Sequence, residues 1–205
     1  LNDDLSVLYK KNSELFGKIT ALGLQFSFSD DVYYTNFCFN FKDNQTQEAT
    51  INWGVQIDSS ITVKPQIVIN HNTNQKEIFI QDKKNNIYLI TNEGEILWKK
   101  NIGEKIISEI TQIDYFKNNK YQILFSTKSK IYLIDRNGEN VGKYPVTLKS
   151  SATAGISVFD YDKNKTYRIF VPCSNNKVYL YDIDGTINDG WVFDKTDDIV
   201  YTPVQ

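Results

Sequence analysis

Short hydrophobic runs alternate with polar turns along most of this chain, and the runs recur as matched pairs. Three apolar triplets lie at 78–80, 123–125 and 169–171. Eight or nine residues after each one comes a strand-like run with tyrosine at its second position, at 87–90, 131–134 and 178–181. Runs this short, rich in Ile, Val, Phe and Tyr and bounded by turn residues, are typical of β-strands.

Each pair of runs is closed by a glycine and a large aromatic residue. These residues are Gly94 with Trp98, Gly138 with Tyr144, and Gly185 with Trp191. Trp53 lies 45 residues before Trp98, so the closing aromatic occurs a fourth time. A period of about 45 residues with several short strands per unit predicts β-propeller blades, each a four-stranded antiparallel sheet.

The repeat predicts an all-β segment of about four blades that follows a short N-terminal helix. The expected divisions are a helix and lead-in (1–17), a diverged blade (18–60), blade two (63–102), blade three (107–148), blade four (151–194), and the start of a next blade or a closing strand (199–205). We expect Trp98 and Trp191 to be buried between blades in equivalent positions. We also expect an open segment, which could self-associate through an apolar blade face, rather than a ring closed by pairing 199–205 with strands near 20–57.

Composition excludes several classes of protein. The chain has 40% hydrophobic residues and a net charge of −2, which is ordinary for a globular domain and gives no electrostatic indication of nucleic-acid binding. No run of 18 apolar residues is present. Cys38 and Cys173 both lie in apolar runs, so we expect small buried side chains; a disulfide between them is left open.

The repeat resembles that of quinoprotein-type propellers, the pyrroloquinoline-quinone-like repeat. The resemblance rests on residues 78–98, with weaker matches at 123–144 and 169–191. It implies the propeller fold and includes both quinone-holding dehydrogenases and cofactor-free scaffold proteins. Four units leave no room for a ring that holds a large planar cofactor, so the cofactor-free scaffold type is the expectation. Scaffolds of this type also imply the extracytoplasmic bacterial envelope.

One string resembles a catalytic motif. Residues 182–186, Asp-Ile-Asp-Gly-Thr, look like the nucleophile motif of haloacid-dehalogenase-type phosphatases. The same string aligns with the turns at 91–94 and 135–138, so we interpret it as a hairpin turn.

Metal and histidine chemistry receive little support. Asp160, Asp162 and Asn164 alternate as in the start of a calcium loop, but Lys165 stands where such a loop has glycine. His71, the only histidine, lies in a polar turn, where we expect it to be solvated. We therefore assign no catalytic, cofactor-binding or metal-binding residue.

Charge is the remaining indication of function. The turns between second and third strands and the linkers between blades are expected at one end of the propeller. That end carries an excess of lysines, which form the candidate binding face: Lys83, Lys84, Lys105, Lys128, Lys130, Lys149 and Lys177.

The sequence therefore predicts a binding or scaffolding module with no catalysis of its own, part of a larger protein, whose lysine-rich end meets a protein partner or an anionic ligand. Two alternatives remain open. One is a carbohydrate-binding propeller that uses the aromatic residues Tyr33, Tyr115, Phe116 and Tyr161. The other is a fragment of a quinoprotein-like enzyme.

Overall fold

The computed structural model describes residue 7 and residues 10–29, 32–41, 53–191, 193 and 195–205. The chain divides into two compact units, Leu1–Asn52 and Trp53–Gln205. The boundary crosses the predicted diverged blade at 18–60. Its first part lies in the first unit, and its end, 53–57, carries no strand in the second.

The first unit contains a short helix and a long hairpin. Helix α1 (Ser13–Phe16) is followed by β1 (Ile19–Ser29) and β2 (Val32–Phe41), which pair antiparallel with Ser29 opposite Val32. Residues 1–6, 8 and 9 of the predicted helix and lead-in lie outside the described residues.

The hairpin has one apolar and one polar face because its residues alternate with a period of two. The apolar face is exposed and carries Leu22, Leu24, Phe26, Phe28, Tyr33 and Phe37. Cys38 lies on the other face, opposite Gly23, and is exposed. The prediction of a buried Cys38 was therefore wrong: the alternation that makes its neighbours apolar places Cys38 on the polar face.

The second unit is built from three antiparallel sheets in meander order. Blade two contains β3 (Gln66–Ile69), β4 (Lys76–Gln81), β5 (Asn86–Ile90) and β6 (Ile96–Asn101). Blade three contains β7 (Thr111–Ile113), β8 (Gln122–Ser126), β9 (Lys130–Ile134) and β10 (Val146–Thr147). Blade four contains β11 (Ser157–Phe159), β12 (Arg168–Cys173) and β13 (Lys177–Asp182). The unit is thus a segment of β-propeller blades.

The prediction of four strands in every blade was wrong for blade four within its described residues. After the turn at Gly185, only Ile187 makes a β-bridge, to Tyr181. The indole N–H of Trp191 then donates to the Val178 carbonyl at 2.8 Å. That bond occupies a position on the edge of β13 where a fourth strand would donate.

The central strands of blade three are apolar on both faces, and both faces are covered. Ile123, Phe125, Tyr132 and Ile134 pack with Phe79 of blade two. The residues between them pack toward blade four in a second cluster, which contains Leu124, Ile131, Leu133, Ile169 and Val171. Strands β8 and β9 are therefore buried as the middle layer of a stack of sheets.

The closing tryptophans Trp53 and Trp98 cover the turn glycine of the next repeat. Trp53 lies against Gly94, and Trp98 lies against Gly138, so close that a Cβ atom on either glycine would approach the indole within 3.0 Å. Both glycines have positive φ, +89° and +84°, as the turns require. Glycine thus serves the backbone turn and leaves room for the indole ring.

Hydrogen bonds reinforce this aromatic docking. The indole N–H of Trp98 donates to the Arg136 carbonyl at 2.7 Å, and the Tyr144 hydroxyl donates to the equivalent Ile183 carbonyl at 3.0 Å. Trp191 is different: it is 38% exposed and bonds within its own blade. Trp98 therefore lies between blades as predicted but is half-buried instead of buried, and the predicted placement is wrong for Trp191.

Replacing Trp98 by alanine should lower the free energy of unfolding by about 3 kcal/mol, because the change removes a half-buried ring and its interblade hydrogen bond. Trp191→Ala is the matched control and should cost only about 1 kcal/mol, since its ring contacts one blade. Urea titration followed by circular dichroism measures both. Equal losses in the two variants would contradict the docking role of Trp98.

Candidate functional site

One end of the second unit brings the interblade linkers onto the turns between second and third strands. This linker end consists of the turns 82–85, 127–130 and 174–177 and the linkers 102–110 and 148–156. Linker and turn are joined by hydrogen bonds in each blade: Asn85 Nδ2 to the Gly103 carbonyl at 3.1 Å, the Leu148 N–H to the Ser129 carbonyl at 2.8 Å, and the Ser174 N–H to the Ser151 carbonyl at 2.8 Å.

All seven lysines of the predicted binding face belong to the linker end. Six of them are exposed, and Lys130 is half-buried. In the described part of the chain, the ion pairs within 4 Å involve Lys99, Arg136, Lys143 and Lys165, and none involves the seven. The structure thus collects these ammonium groups at one end, and none of them lies within 4 Å of a carboxylate oxygen of the described residues.

The carboxylates of the linker end explain why its lysines stay unpaired. Asp82 is fully buried and accepts hydrogen bonds from the backbone of Lys84 and Asn86, from the Asn86 amide and from the Tyr88 hydroxyl. Burial alone would raise the pKa of Asp82, but these hydrogen bonds hold it below the ordinary value.

Glu104 is engaged in the same way. It accepts hydrogen bonds from the Ser129 hydroxyl and from the Ser129 N–H, the latter at 3.1 Å. These bonds keep the pKa of Glu104 below its ordinary value despite partial burial. Of the three carboxylates at this end, Asp82 and Glu104 therefore hold loops together instead of pairing with lysines. The third, Glu109, is exposed.

A cleft of about 580 Å³ opens where the linkers enter the first strands of successive blades. Equivalent positions of the repeat line it, and two lysines, Lys64 and Lys105, lie on its wall. Gly155 permits the linker 148–156 to approach the linker 102–110, because a Cβ atom on Gly155 would lie 2.8 Å from the Ser108 backbone. The repeat period was the sequence signal that these two linkers hold equivalent places in successive blades.

The opposite end, which we call the turn end, carries cation–carboxylate pairs between blades. Arg136 of blade three pairs with buried Glu77 of blade two. Lys165 of blade four pairs with buried Asp114 of blade three at 2.6 Å and donates to Asn119 Oδ1 at 2.9 Å. Sequence reasoning missed these pairs because each joins residues about 50 or more positions apart.

The segment 160–166, which resembles the start of a calcium loop, is a structural turn in which Lys165 takes a left-handed conformation, φ +64°. Both Asp160 oxygens accept backbone N–H groups, from Asn164 at 3.1 Å and Lys165 at 3.0 Å. Among the described residues, no group of three His, Cys, Asp or Glu side chains is arranged to hold a metal ion.

The phosphatase-like string forms the predicted hairpin turn. The Asp182 N–H donates to the Thr186 carbonyl at 2.8 Å, and the Gly185 N–H donates to the Asp182 carbonyl at 2.9 Å. The turn beginning at Thr91 has the same two bonds. Asp184 is held by the Thr186 hydroxyl and N–H, which keep its pKa below the ordinary value.

His71 is not the solvated residue that its polar turn predicts. It is half-buried, and its Nδ1 accepts the Tyr121 N–H of the next blade at 3.1 Å. Burial and then the Arg136 charge lower its pKa. His71 also lines a cleft of about 340 Å³ at the turn end, together with Phe116, Tyr121 and Arg136.

The aromatic residues considered for carbohydrate binding occupy separate places. Tyr33 lies on the hairpin of the first unit, Tyr115 and Phe116 form an edge-on pair in blade three, and Tyr161 stacks on Phe159 in blade four. The buried thiol of Cys173 donates to the Ser150 carbonyl at 3.4 Å, and burial raises its pKa to about 11, so it stays protonated.

Comparison with known proteins gives structural likeness only. No family model matches the chain, and no curated protein matches it. A crystal structure of BBS1N in complex with ARL6DN, soaked with lead, is similar over 84% of this chain and 57% of that chain, with 13% identity and a TM-score of 0.46. A mercury-soaked crystal of the same complex gives 14% identity over 64% and 53% of the two chains, with a TM-score of 0.42.

This chain thus spans a little over half the length of the chains it resembles. The propeller assignment rests on the meander sheets and their stacking, and the quinoprotein resemblance stays a prediction. No helix among the described residues is long and apolar enough to cross a membrane.

The Asp114–Lys165 pair gives a pH prediction. Burial would raise the pKa of Asp114, but Lys165 and the N–H groups of Asn118 and Asn119 lower it below the unfolded value of 3.8. The stability from this group is therefore complete above pH 3.8 and lost as pH falls through the folded pKa. Asp114→Asn should flatten the dependence of unfolding free energy on pH between about 4 and 2. Urea titrations over that range that keep the wild-type slope would contradict this role.

Proposed function

We propose that this protein is a non-catalytic binding module whose linker end receives an acidic segment of a protein partner. The observation that carries the proposal is the separation of charges at that end. Seven lysines lie there without ion-pair partners in the described structure, while Asp82 and Glu104 are used in internal hydrogen bonds.

Geometry favours an extended ligand over a single small anion. The three turns that carry Lys84, Lys128 and Lys177 belong to successive blades, so their ammonium groups are distributed across the end of the stack. Exposed ammonium groups distributed in this way attract an acidic chain over a distance and fix its orientation more than they add affinity. The cleft beside Lys64 and Lys105 offers room for a side chain of such a partner.

The two alternatives have less support. The aromatic side chains that a carbohydrate site would use are engaged with neighbours of their own blade: Tyr115 packs edge-on against Phe116 in blade three, and Tyr161 stacks on Phe159 in blade four. A quinoprotein-like enzyme would use convergent ionisable groups. The strongest candidates for such groups, Asp114, Asp160 and Asp184, are engaged within turns or with Lys165.

The triple variant Lys84→Gln, Lys128→Gln, Lys177→Gln should weaken binding of poly-L-glutamate about tenfold at low salt, because it removes one ammonium group from each blade at the linker end. Fluorescence anisotropy of a labelled polymer measures the affinity. The matched control, Lys76→Gln, Lys120→Gln, Lys163→Gln, makes the same change in net charge at the turn end and should alter the affinity little.

Salt separates face-specific attraction from general attraction. The affinity of the wild type should fall as salt rises from 20 to about 200 mM, and the linker-end triple should show a shallower dependence. Equal weakening by the two triples would contradict a binding face at the linker end.

A further inference from the structure

Blade four presents a cluster of aromatic side chains on the face that points away from blade three, which we call the trailing face. The Phe170 ring packs edge-on against Trp191 and Phe159, with ring centroids 5.2 Å and 5.6 Å apart. The Trp191 ring stacks with Phe193, with centroids 5.7 Å apart. Tyr161, stacked on Phe159, is 64% exposed, Phe193 is 42% exposed and Trp191 is 38% exposed. Large aromatic side chains left exposed together mark a surface that another group covers.

The corresponding face of blade two shows what kind of element covers such an aromatic cluster. Phe79 holds the position of Phe170 in the repeat, and Trp98 holds that of Trp191. Phe79 and Trp98 pack edge-on with ring centroids 6.3 Å apart, as Phe170 and Trp191 do. Phe125 of blade three packs on Phe79 with ring centroids 5.7 Å apart. The trailing face of blade four thus repeats a surface that elsewhere in this molecule receives a β-sheet.

A carboxylate at the turn end repeats in the same way. Asp114 of blade three accepts Asn118 and Asn119 N–H groups and pairs with Lys165 of the following blade. Asp160 holds the same position in blade four and accepts the equivalent N–H groups. Within the described residues, no ion pair to Asp160 is formed.

Residues 199–205 lie where the linker and the first strand of a further blade would lie. The Thr153 hydroxyl donates to the Val200 carbonyl, and the Ser157 hydroxyl donates to the Val204 carbonyl, both at 2.5–2.6 Å. Two repeats earlier, Gln66 of blade two accepts the Ile110 N–H at the entry of blade three, at 2.9 Å. Pro203 also lines the linker-end cleft beside Lys64 and Gly155.

From these three correspondences we propose that the trailing face of blade four is a docking surface for a further β-blade of the same repeat type. The docking blade carries an aromatic residue at the position of Phe125, a turn glycine at that of Gly138, and a lysine or arginine that reaches Asp160.

A second copy of this chain fits the surface less well. To continue the stack, the second copy would have to present the face of its blade two that points away from its blade three. That face, formed by Ile80, Tyr88 and Ile90, is already covered by Val55 and Ile57. Self-association, which the sequence pattern allowed, is therefore not the occupancy that we propose.

The test extends the full chain by a repeat of its residues 113–205 after Gln205, so that Gln205 takes the place of Gln112. The repeated blade three also carries Asn119→Lys, because Asn119 holds the position of Lys165 and the change supplies the cation for Asp160. A second blade three then follows blade four, and a second blade four follows it. Trp191→Ala in the first copy should shift the urea midpoint about twice as far in the extended chain as in the natural chain, because its ring would then be docked. Phe116→Ala in the first copy, an exposed change at the turn end, should shift both midpoints equally.

Two results would overturn the proposal. One is a Trp191→Ala shift of the same size in the natural and extended chains. The other is a micromolar dimer of the natural chain in sedimentation equilibrium that Trp191→Ala dissociates, which would assign the face to a second copy.

Discussion

The structure depends on one constraint: each central sheet of this chain is apolar on both faces and must be covered on both. Strands β8 and β9 show it most clearly, with Phe125 and Tyr132 toward blade two and Leu124 and Leu133 toward blade four. Burial of about 25 cal/mol per Å² of apolar surface drives such stacking, and a single blade cannot achieve it alone. The stacking of the blades and the position of the closing aromatic residues follow from that requirement.

Polar groups are distributed in a way that stacking alone does not explain. At the turn end, Arg136 and Lys165 neutralise buried carboxylates of the preceding blade, so charge there serves cohesion. At the linker end, Asp82 and Glu104 organise the loops by accepting N–H and hydroxyl groups, and the lysines are left to face solvent. The two ends of one repeat therefore have different uses of charge, and this difference is the basis of the proposed function.

The sequence predicts most of the blades because their periodicity is local. The glycine and aromatic spacing located the turns, including the one at Asp182 that resembles a phosphatase motif. Three features escaped it for physical reasons. The indole N–H of Trp191 bonds to the Val178 carbonyl of its own blade, Cys38 follows strand alternation to a polar face, and the Asp114–Lys165 pair joins residues that only stacking brings together. Interblade contacts of this kind carry no signal in the spacing of neighbours.

The central claim, that the closing aromatic ring of one repeat docks on the turn glycine of the next, is tested most directly by adding one methyl group. Gly138→Ala places a Cβ atom 2.9 Å from the Trp98 ring, whereas Gly103→Ala, at a similar positive φ of +75°, meets nothing within 4 Å. Both variants share the backbone cost of about 1 kcal/mol. The docking model predicts that Gly138→Ala lowers the free energy of unfolding, measured by urea titration, by roughly a further 1–3 kcal/mol. Equal decreases at the two glycines would contradict it.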